Sequence, residues 1–393
     1  MPASKSAPRG RRWKRPGANG SRLRVLHMIN LHDQKALGGA ERFALALATR
    51  LPRDRFEPWM CAPRGVDPIA ARELDEAGVP FVTLGRRAAW DVHRFSGLFS
   101  LLRRERFHVL HTHMFGSNLW GAIAGRACRV PVVIAHEHTW SYEGDPLRAW
   151  LDGRVIGRLV TRFIAVSSAD AERMVSIEHV PEDKVMMMPT CYVPHPASSN
   201  GDLRAELGLR PGTPLIATAS HLRPQKALEV LIDAHARLLQ SAPDAHLVLA
   251  GDGDCRSELE RHTVKLGLQD RVHFLGTRTD IDSILASVDI GAMSSDFEGM
   301  PLFAFECWAN DTPLVATAVG GLPELVDNGR TGVLVPRRNP QALAEALAGL
   351  LADEPRRERL ASAAAARLED FTIEAITERF ATLYETLVAE RSR

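Results

Sequence analysis

Short apolar runs alternate with amphipathic segments along almost the whole chain, and this alternation restricts the possible folds more than any other feature. Apolar runs such as residues 24–29 and 246–250 are too continuous for strands with one exposed face, so they suit a buried parallel sheet. Segments such as residues 40–50 repeat their apolar positions with the period of a helix. Repeated β-α-β units predict an α/β fold built on doubly wound parallel sheets.

The alternation is interrupted once, which predicts two domains facing a cleft. Residues 189–201 are crowded with Pro, Ser, Asn and Gly, as in a linker, and 393 residues suit two domains of roughly 100–200 residues each. We expect a disordered tail over 1–22, a first domain over 23–195, a second over 196–372 and a final helix over 373–393. The predicted strands are 24–29, 57–61, 80–84, 108–113, 131–136, 162–166 and 184–188, then 214–220, 246–250, 272–275, 288–292, 313–316 and 332–335.

Charge is balanced over the chain but concentrated in the tail. With 49 basic and 48 acidic residues, the chain lacks the basic domain that nucleic-acid binding needs, so no nucleic-acid partner is expected. The tail is rich in Pro, Gly and Ser, which predicts disorder. It either keeps the protein in solution or draws it to an anionic membrane face. The basic residues before the first acidic residue, Asp33, are Lys5, Arg9, Arg11, Arg12, Lys14, Arg15, Arg22 and Arg24.

Cysteine spacing and hydropathy predict the compartment. The 5 cysteines are scattered without a CxxC pair, which is typical of a reduced, cytosolic protein without structural disulfides or zinc. The tail lacks the apolar segment of a secretory signal, and no run of 18 apolar residues is long enough to span a bilayer. We expect a cytoplasmic protein, with the inner face of the membrane as the alternative location.

A second basic stretch bears on that alternative. Residues 97–106 mix leucines with arginines, and Arg86, Arg87, Trp90 and Arg94 lie close by in the sequence. This pattern describes either a surface that contacts an anionic leaflet or a helix that packs its apolar face on the sheet. Peripheral membrane contact therefore stays open at this point.

The segment from Glu298 to Glu306 has the clearest chemical pattern. Gly299 lets a ligand approach the backbone, and Pro301 suits the first turn of a helix, whose free N–H groups bind hydroxyl or phosphate oxygens. Eight residues of helix span about 12 Å, more than the roughly 5–9.5 Å between the carboxyl groups of a glycoside hydrolase. Two separate carboxylates suit the hydroxyls of a sugar and of a ribose. The alternative is one charge at a helix end and one solvated glutamate.

Two further patterns follow predicted strands of the first domain. Gly38 and Gly39 precede a helix, an arrangement that binds phosphate in principle. His111, His113 and His136 fall at strand ends, and the first two share one face of their strand. His-x-His is a metal-ligand pattern, but no third and fourth ligands follow at zinc-like spacing. We therefore expect no metal.

The chain resembles glycosyltransferase family 4 over nearly all of residues 23–390. Glu298 and Glu306 match the E-x7-E signature of retaining glycosyltransferases, and residues 295–302 and 316–324 match its surroundings. The resemblance implies the GT-B fold, in which two Rossmann-like domains face a cleft and the last helix crosses back onto the first domain. It also implies metal-independent transfer of a sugar from a nucleotide-sugar, with retention of the anomeric configuration.

The resemblance also implies roles for individual residues. The first glutamate of the signature, Glu298, contacts the donor sugar, and Glu306 contacts the nucleotide ribose. Lys226 neutralises the diphosphate and His136 hydrogen-bonds a sugar hydroxyl or the leaving group, so Glu298, Lys226 and His136 are the expected catalytic residues. The other expected contacts are His111 and His113 on the acceptor side, and Gly38, Gly39, His221, Arg223, Gly253, Arg278, Gly299, Met300, Pro301 and Leu302 on the donor side.

Two positions depart from the family pattern near the diphosphate. The family has an arginine where this chain has His221 and a glycine where it has Ala227. A neutral imidazole cannot make the two parallel hydrogen bonds of a guanidinium, although Arg223 follows closely. Three interpretations stay open: an active retaining transferase, a scaffold that binds nucleotide-sugar but turns over poorly, and another GT-B enzyme such as a nucleotide-sugar epimerase.

The partners implied by the resemblance are broad classes. A nucleotide-sugar is expected as substrate, with no resident cofactor. The acceptor is expected to be a glycan or a lipid-linked molecule, in the assembly of a polysaccharide or glycolipid. The residues do not identify the sugar, the base or the linkage.

Overall fold

Two parallel β-sheets organise the structure, a computed structural model that describes residues 22–31, 37–87, 91–138, 145–194 and 201–392. The strands of the first sheet are β1 (Leu23–Met28), β2 (Phe56–Ala62), β3 (Phe81–Thr83), β4 (Val109–His113), β5 (Val132–His136), β6 (Arg162–Ala165) and β7 (Val185–Met187). They lie in the order β3-β2-β1-β4-β5-β6-β7, and all neighbours are parallel.

The second sheet repeats this arrangement. Its strands are β8 (Leu215–Ala219), β9 (His246–Ala250), β10 (Val272–Gly276), β11 (Ile290–Met293), β12 (Leu314–Thr317) and β13 (Val333–Val335). They lie in the order β10-β9-β8-β11-β12-β13, again with parallel neighbours. Both sheets therefore have the doubly wound topology of Rossmann-like domains.

Helices connect the strands and cover both faces of each sheet. Those of the first half are α1 (Gly39–Arg50), α2 (Pro68–Glu76), α3 (Ser96–Glu105), α4 (Phe115–Ala127), α5 (Pro146–Leu151), α6 (Gly157–Leu159) and α7 (Ser168–Ser176). Those of the second half are α8 (Leu203–Glu206), α9 (Leu228–Leu238), α10 (Arg256–Lys265), α11 (Ile281–Ala286), α12 (Leu302–Ala309), α13 (Leu322–Leu325), α14 (Pro340–Leu351), α15 (Glu354–Leu368) and α16 (Ile373–Ser392).

Helices pack on both faces of the first sheet. Because successive side chains of a strand point to opposite faces, neighbouring residues of one strand are buried in different cores. In β1, Val25 packs in one core with Phe43 of α1, whereas Leu26 lies in the opposite core with Leu98 of α3. This two-sided burial explains why the strands appear in the sequence as continuous apolar runs.

Helix α3 packs its leucines against the sheet, which is one of the two alternatives left open for this basic stretch. Leu98, Leu101 and Leu102 are all buried in the core below it. Trp90, which belonged to the membrane-surface alternative, lies outside the described residues. None of the helices that the described residues form is long and apolar enough to cross a bilayer.

The last helix crosses back onto the first domain. Phe380 and Tyr384 of α16 lie in the same core as Phe43 of α1 and Phe56 of β2, and all four side chains are fully buried. At the surface, Arg55 forms ion pairs with glutamates of α16, including one of 2.7 Å to Glu385. The predicted position of the final helix is confirmed.

At the junction of the two domains, backbone segments approach each other too closely for side chains to lie between them. A Cβ atom on Gly320, whose φ is +54°, would lie 1.7 Å from the carbonyl oxygen of Glu298. A Cβ atom on Gly299 would lie 2.7 Å from the carbonyl oxygen of His138 in the first domain. Residues 298–299 therefore lie directly between the glycine loop at 320–321 and the first domain.

Polar contacts strengthen the same junction. The Gly321 N–H donates to the carbonyl oxygens of Glu298 and Gly299 at 3.1 and 3.0 Å. The carboxylate of Glu324 accepts a hydrogen bond of 2.9 Å from the N–H of Ser168, at the start of α7. These contacts hold the loop that carries Glu298 against both domains.

The α/β class and the two sheets agree with prediction, and the predicted strands end within two residues of the observed ones. Pro301 is the cap residue before α12, one position earlier than predicted. The predicted domain boundary at 195/196 and tail residues 1–21 lie outside the described residues, so these limits stay predictions.

Gly320→Ala should destabilise the protein more than Gly329→Ala, although both glycines have positive φ. Each substitution adds left-handed strain of about 1–2 kcal/mol. Only at Gly320 does the new methyl group meet backbone, whereas Gly329 borders open space, so we expect a further loss of about 1–3 kcal/mol at Gly320. Urea titration measures both free energies of unfolding. Equal losses would contradict the close contact at Glu298.

Candidate active site in the cleft

The strand order of each sheet reverses at its first strand, and the predicted functional residues gather at both reversals. The reversal lies between β1 and β4 in the first sheet and between β8 and β11 in the second. Ligands of open α/β sheets bind beside such a switch point, outside the carboxyl ends of the strands. The loops after β8 and β11, residues 220–227 and 294–301, form the second-domain side of the candidate site.

An ion pair joins the two predicted catalytic residues of the second domain. Lys226 Nζ donates to Glu298 Oε1 at 2.7 Å, and the Ser295 hydroxyl donates to the same oxygen. Glu298 is buried, whereas Lys226 keeps part of its side chain exposed. A buried carboxylate needs such partners. The pair therefore fixes the carboxylate and holds a positive charge at the cleft.

The turn that carries Lys226 contains a strained residue. Pro224–Lys226 form a 3-10 turn, and Ala227 after it has a φ of +46°. Glycine adopts this conformation freely, whereas alanine does so at a cost of about 1–2 kcal/mol. Ser294 Oγ donates to the Ala227 carbonyl oxygen at 3.0 Å and supports the turn. Ala227 thus follows a backbone path that suits the family's glycine.

Gly38 and Gly39 face the second domain across the cleft. A Cβ atom on Gly38 would lie 3.8 Å from His221 Nε2, and one on Gly39 would lie 3.2 Å from Leu302 Cδ1. Neither glycine has positive φ. The close approach of Leu302 favours glycine at Gly39, whereas the atom nearest to a Cβ on Gly38 is Glu41 Oε2 of the same domain, at 2.7 Å. His221 and Arg223 are both exposed in the loop opposite. The structure thus brings predicted donor-binding residues of both domains together.

Glu306 is held by the first domain. It is buried in α12, and its Oε1 accepts a hydrogen bond of 2.8 Å from Arg42 of α1. Arg42 also donates to the carbonyl oxygen of Val193. Arg42 was not predicted as a site residue, although it stands in the first turn after Gly39. The ribose contact of Glu306 stays a prediction, and the ion pair gives this carboxylate a second role in joining the domains.

Met300, Gly253 and Arg278 have structural partners. Met300 is buried in one core with Val166 of the first domain. A Cβ atom on Gly253 would lie 2.5 Å from the Leu222 carbonyl oxygen, so glycine lets the turn after β9 pass close to the loop after β8. Their donor contacts stay predictions.

Arg278 lies in a network of carboxylates. It donates to Asp280 and Glu206 at 2.6–2.7 Å, and these hydrogen bonds raise the pKa of the Arg278 guanidinium. Its positive charge is therefore already compensated within the protein. A contact between Arg278 and the nucleotide base stays a prediction.

Five histidines meet at the carboxyl ends of β1, β4 and β5, where neighbouring ring centroids are 4.1–5.8 Å apart. Phe43 of α1 and Phe380 of α16 pack against them. All are fully buried except His138, which is partly exposed. We call His27, His111, His113, His136 and His138 the histidine cluster.

Hydrogen bonds connect most of the histidine cluster. His111 Nδ1 lies 2.6 Å from the hydroxyl of Tyr384 in α16. His113 Nε2 lies 3.4 Å from His27 Nδ1, and His113 Nδ1 lies 3.1 Å from His138 Nε2. His111, His113 and His136 are all fully buried, so the structure places the three predicted histidines beneath the cleft surface, and their contacts with substrate stay predictions.

The histidine cluster is uncharged at neutral pH. Burial lowers the pKa of His27 and His138 to about 3. Burial, and then the neighbouring imidazoles, hold the pKa values of His111, His113 and His136 well below the usual value. Both ring nitrogens of His136 are without a hydrogen-bond partner among the described residues, so this ring keeps its bonding capacity for another group.

Several residues of this site were not among the predicted site residues. His27 pairs with His111 across β1 and β4, so its position at the end of the first strand was the available signal. His138 follows His136 at the spacing that returns a side chain to the same face. Tyr384 had no local signal, since it lies in the final helix.

Family models match both halves of the chain. The model described as Glycosyltransferase Family 4 matches residues 37–194, and the model described as Glycosyl transferases group 1 matches residues 199–367. Between them they include the glycine loop at Gly38, the histidine cluster from His111 onward, and both signature glutamates.

Curated relatives cover most of the chain. The Escherichia coli UDP-Gal:alpha-D-GlcNAc-diphosphoundecaprenol alpha-1,3-galactosyltransferase is 26% identical over 351 residues, which are 85% of this chain and 89% of the relative. A D-inositol 3-phosphate glycosyltransferase of Xylanimonas cellulosilytica is 33% identical over 291 residues, 67% of this chain and 68% of the relative.

Solved structures match the whole two-domain arrangement. Anabaena HepE in complex with UDP-glucose has a TM-score of 0.80 at 23% identity, covering 93% of this chain and 100% of HepE. WaaG, a glycosyltransferase involved in lipopolysaccharide biosynthesis, has a TM-score of 0.70 at 15% identity, covering 92% and 99%. The predicted GT-B fold is confirmed. The chain belongs to glycosyltransferase family 4 and is a GT-B glycosyltransferase that acts on nucleotide sugars.

Proposed function

We propose that this protein transfers a sugar from a uridine diphosphate sugar to a hydroxyl group of a glycan or lipid-linked acceptor, with retention of configuration and without a metal. The ion pair of Lys226 and Glu298 at the second switch point carries the proposal. A uridine donor is supported by the UDP-Gal in the name of the Escherichia coli relative and by the UDP-glucose bound to HepE. The same relative's name includes a diphosphoundecaprenol-linked acceptor.

Departure of the diphosphate requires positive charge at the cleft. The bond between the anomeric carbon and the phosphate oxygen breaks, and negative charge grows on the leaving diphosphate. The Lys226 ammonium stabilises that charge, with Arg223 and His221 exposed in the same loop. These cationic and polar groups take the part that a metal ion plays elsewhere.

The sugar lies between the two domains. Glu298 accepts hydrogen bonds from sugar hydroxyls, and backbone N–H groups that follow it donate to others. The acceptor hydroxyl attacks the anomeric carbon from the face that the diphosphate leaves, and its proton passes to the departing phosphate oxygen. His136 orients the sugar with its unpartnered ring. The close contact between Gly299 and His138 helps to exclude water.

Lys226→Ala and Glu298→Ala should each lower kcat/KM by about 100- to 1000-fold, the effect of removing one group that stabilises transition-state charge. Transfer from a radiolabelled UDP-sugar pool to extracted lipid or glycan acceptors measures this loss. The matched controls are Lys265→Ala and Glu258→Ala, which remove exposed charges from α10 of the same domain. Thermal unfolding verifies that all four variants are folded. Wild-type turnover in either cleft variant would reject these roles.

One nucleotide among UDP, GDP and ADP should bind in the presence of EDTA, and we expect UDP. The expected dissociation constant is on the order of micromolar to hundreds of micromolar, the range of enzyme KM values. Isothermal titration calorimetry on the wild type and Lys226→Ala measures it, with weaker binding in the variant. Binding without turnover would favour the scaffold interpretation, for which His221 in place of arginine is the specific reason. Binding of none would contradict the donor site.

We also propose peripheral contact with an anionic membrane at the cytoplasmic face. Leu147 and Trp150 of α5 are 65% and 55% exposed, although they are large and apolar. Arg154 and Arg158 are exposed further along the same helical segment. Apolar side chains beside arginines suit the boundary between headgroups and acyl chains. The basic residues of the tail add attraction of roughly 1 kcal/mol each near such a surface.

Removing residues 1–22, or changing Leu147 and Trp150 to serine, should each weaken binding to vesicles that contain phosphatidylglycerol. Co-sedimentation measures the bound fraction, with neutral phosphatidylcholine vesicles for comparison. The matched control changes Val264 and Leu266, which are exposed apolar residues of the second domain, to serine. Equal and negligible sedimentation of the wild type and all variants would rule out the contact.

A further inference from the structure

We propose that His113, His136 and His138 form a binding site for a divalent transition metal of the zinc class, and that the bound metal inhibits transfer. The inhibition rests on the proposed function, whereas the metal site stands on geometry alone. Zinc-like spacing is absent along the chain because the three ligands come from the end of β4, from the end of β5 and from the segment just after it.

The three rings bring their nitrogens close together. The candidate ligand atoms of His113, His136 and His138 all lie within 4.8 Å of one another. His113 Nδ1 and His138 Nε2 are 3.1 Å apart. In a tetrahedral zinc site with bonds of 2.0–2.1 Å, neighbouring nitrogens are about 3.3 Å apart. One pair therefore already has about the required separation, and the nitrogen of His136 lies within 4.8 Å of both.

His136 supplies the strongest sign that a partner is missing. Both of its ring nitrogens are buried without a hydrogen-bond partner among the described residues. Buried polar atoms are paired in the great majority of cases. A metal ion would take a lone pair from this ring.

His27 orients the central ligand. His113 Nε2 lies 3.4 Å from His27 Nδ1, and in the tautomer that carries its proton on Nε2 the lone pair of His113 is on Nδ1. This Nδ1 is the atom that faces His138. Metal-ligating histidines almost always donate their other ring N–H to a neighbouring acceptor. In that tautomer, the hydrogen bond to His27 holds the His113 ring in the orientation that ligation requires.

A second group of three, His27, His111 and His113, is also close enough for ligation. All three of its rings are fully buried, and His111 Nδ1 already bonds the Tyr384 hydroxyl. The site of His113, His136 and His138 is favoured because His138 is partly exposed and gives an entry route. With three histidine ligands, the fourth coordination position of a tetrahedral metal ion is left for water, as in open zinc sites.

Metal binding and donor binding compete for His136. The proposed reaction uses this ring to orient the donor sugar, and a ring that ligates a metal has given up that lone pair. Zinc should therefore weaken donor binding and slow transfer, and a chelator should restore both. We expect transfer to proceed in EDTA, because the proposed chemistry uses the charge of Lys226 and not that of a metal ion.

The experiment uses full-length protein without a histidine tag, stripped with EDTA and dialysed, and then titrated with Co²⁺. We expect the visible absorption of tetrahedral cobalt, saturating at one equivalent and displaced by Zn²⁺. His138→Gln and His113→Ala should abolish the absorption. The matched control is His179→Asn, because His179 is exposed in the same domain and asparagine tolerates its φ of +61°. Circular dichroism verifies the fold of each variant.

No tetrahedral cobalt signal, or an equal signal in wild type and His138→Gln, would overturn the metal site and leave the cluster as packed neutral rings. His138 is partly exposed, so its glutamine variant remains informative if His113→Ala does not fold. A cobalt signal in a protein that binds no nucleotide would support the metal site and contradict the proposed function. UDP-sugar binding and transfer that Zn²⁺ does not weaken would contradict the inhibition alone.

Discussion

The position of the cleft depends on a contact between two backbone segments that leaves no room for a side chain. Gly320 lets its loop lie against the carbonyl oxygen of Glu298, and Gly299 lets the other side of this segment lie against the first domain. This contact fixes the position of Glu298, whose carboxylate pairs with Lys226. The geometry of the ion pair, and of the loops opposite it, follows from this contact.

Polar side chains are buried at both switch points, and the two domains compensate for the lost water in different ways. Parallel strands all end at one edge of a sheet, so polar side chains crowd together there and lose water. The second domain keeps its charges and pairs them, as Lys226 and Glu298 do. The first domain uses imidazoles, which remain neutral when burial lowers their pKa values.

Local patterns in the sequence predicted most of the fold, because apolar runs and helix periods depend on near neighbours. The strand ends and the spacing of Glu298 and Glu306 were accessible in this way, whereas Lys226 was predicted only through the resemblance to the family. The pairing of Arg42 with Glu306 was not, since 264 residues separate them, and neither was that of His111 with Tyr384, at 273 residues. Nor does spacing along the chain show that His27 and His138 join the other histidines. These contacts depend on which strands become neighbours.

The return of α16 to the first domain affects how the protein is made. Phe43 and Phe56 are covered by a helix that is synthesised after the whole second domain. Domains generally fold as units during synthesis, but here the earlier unit leaves the ribosome with one apolar side uncovered. Its core is completed only when residues 373–392 dock. Maturation of the first domain is thus coupled to completion of the second, and a chain interrupted between them presents chaperones and proteases with an exposed apolar surface.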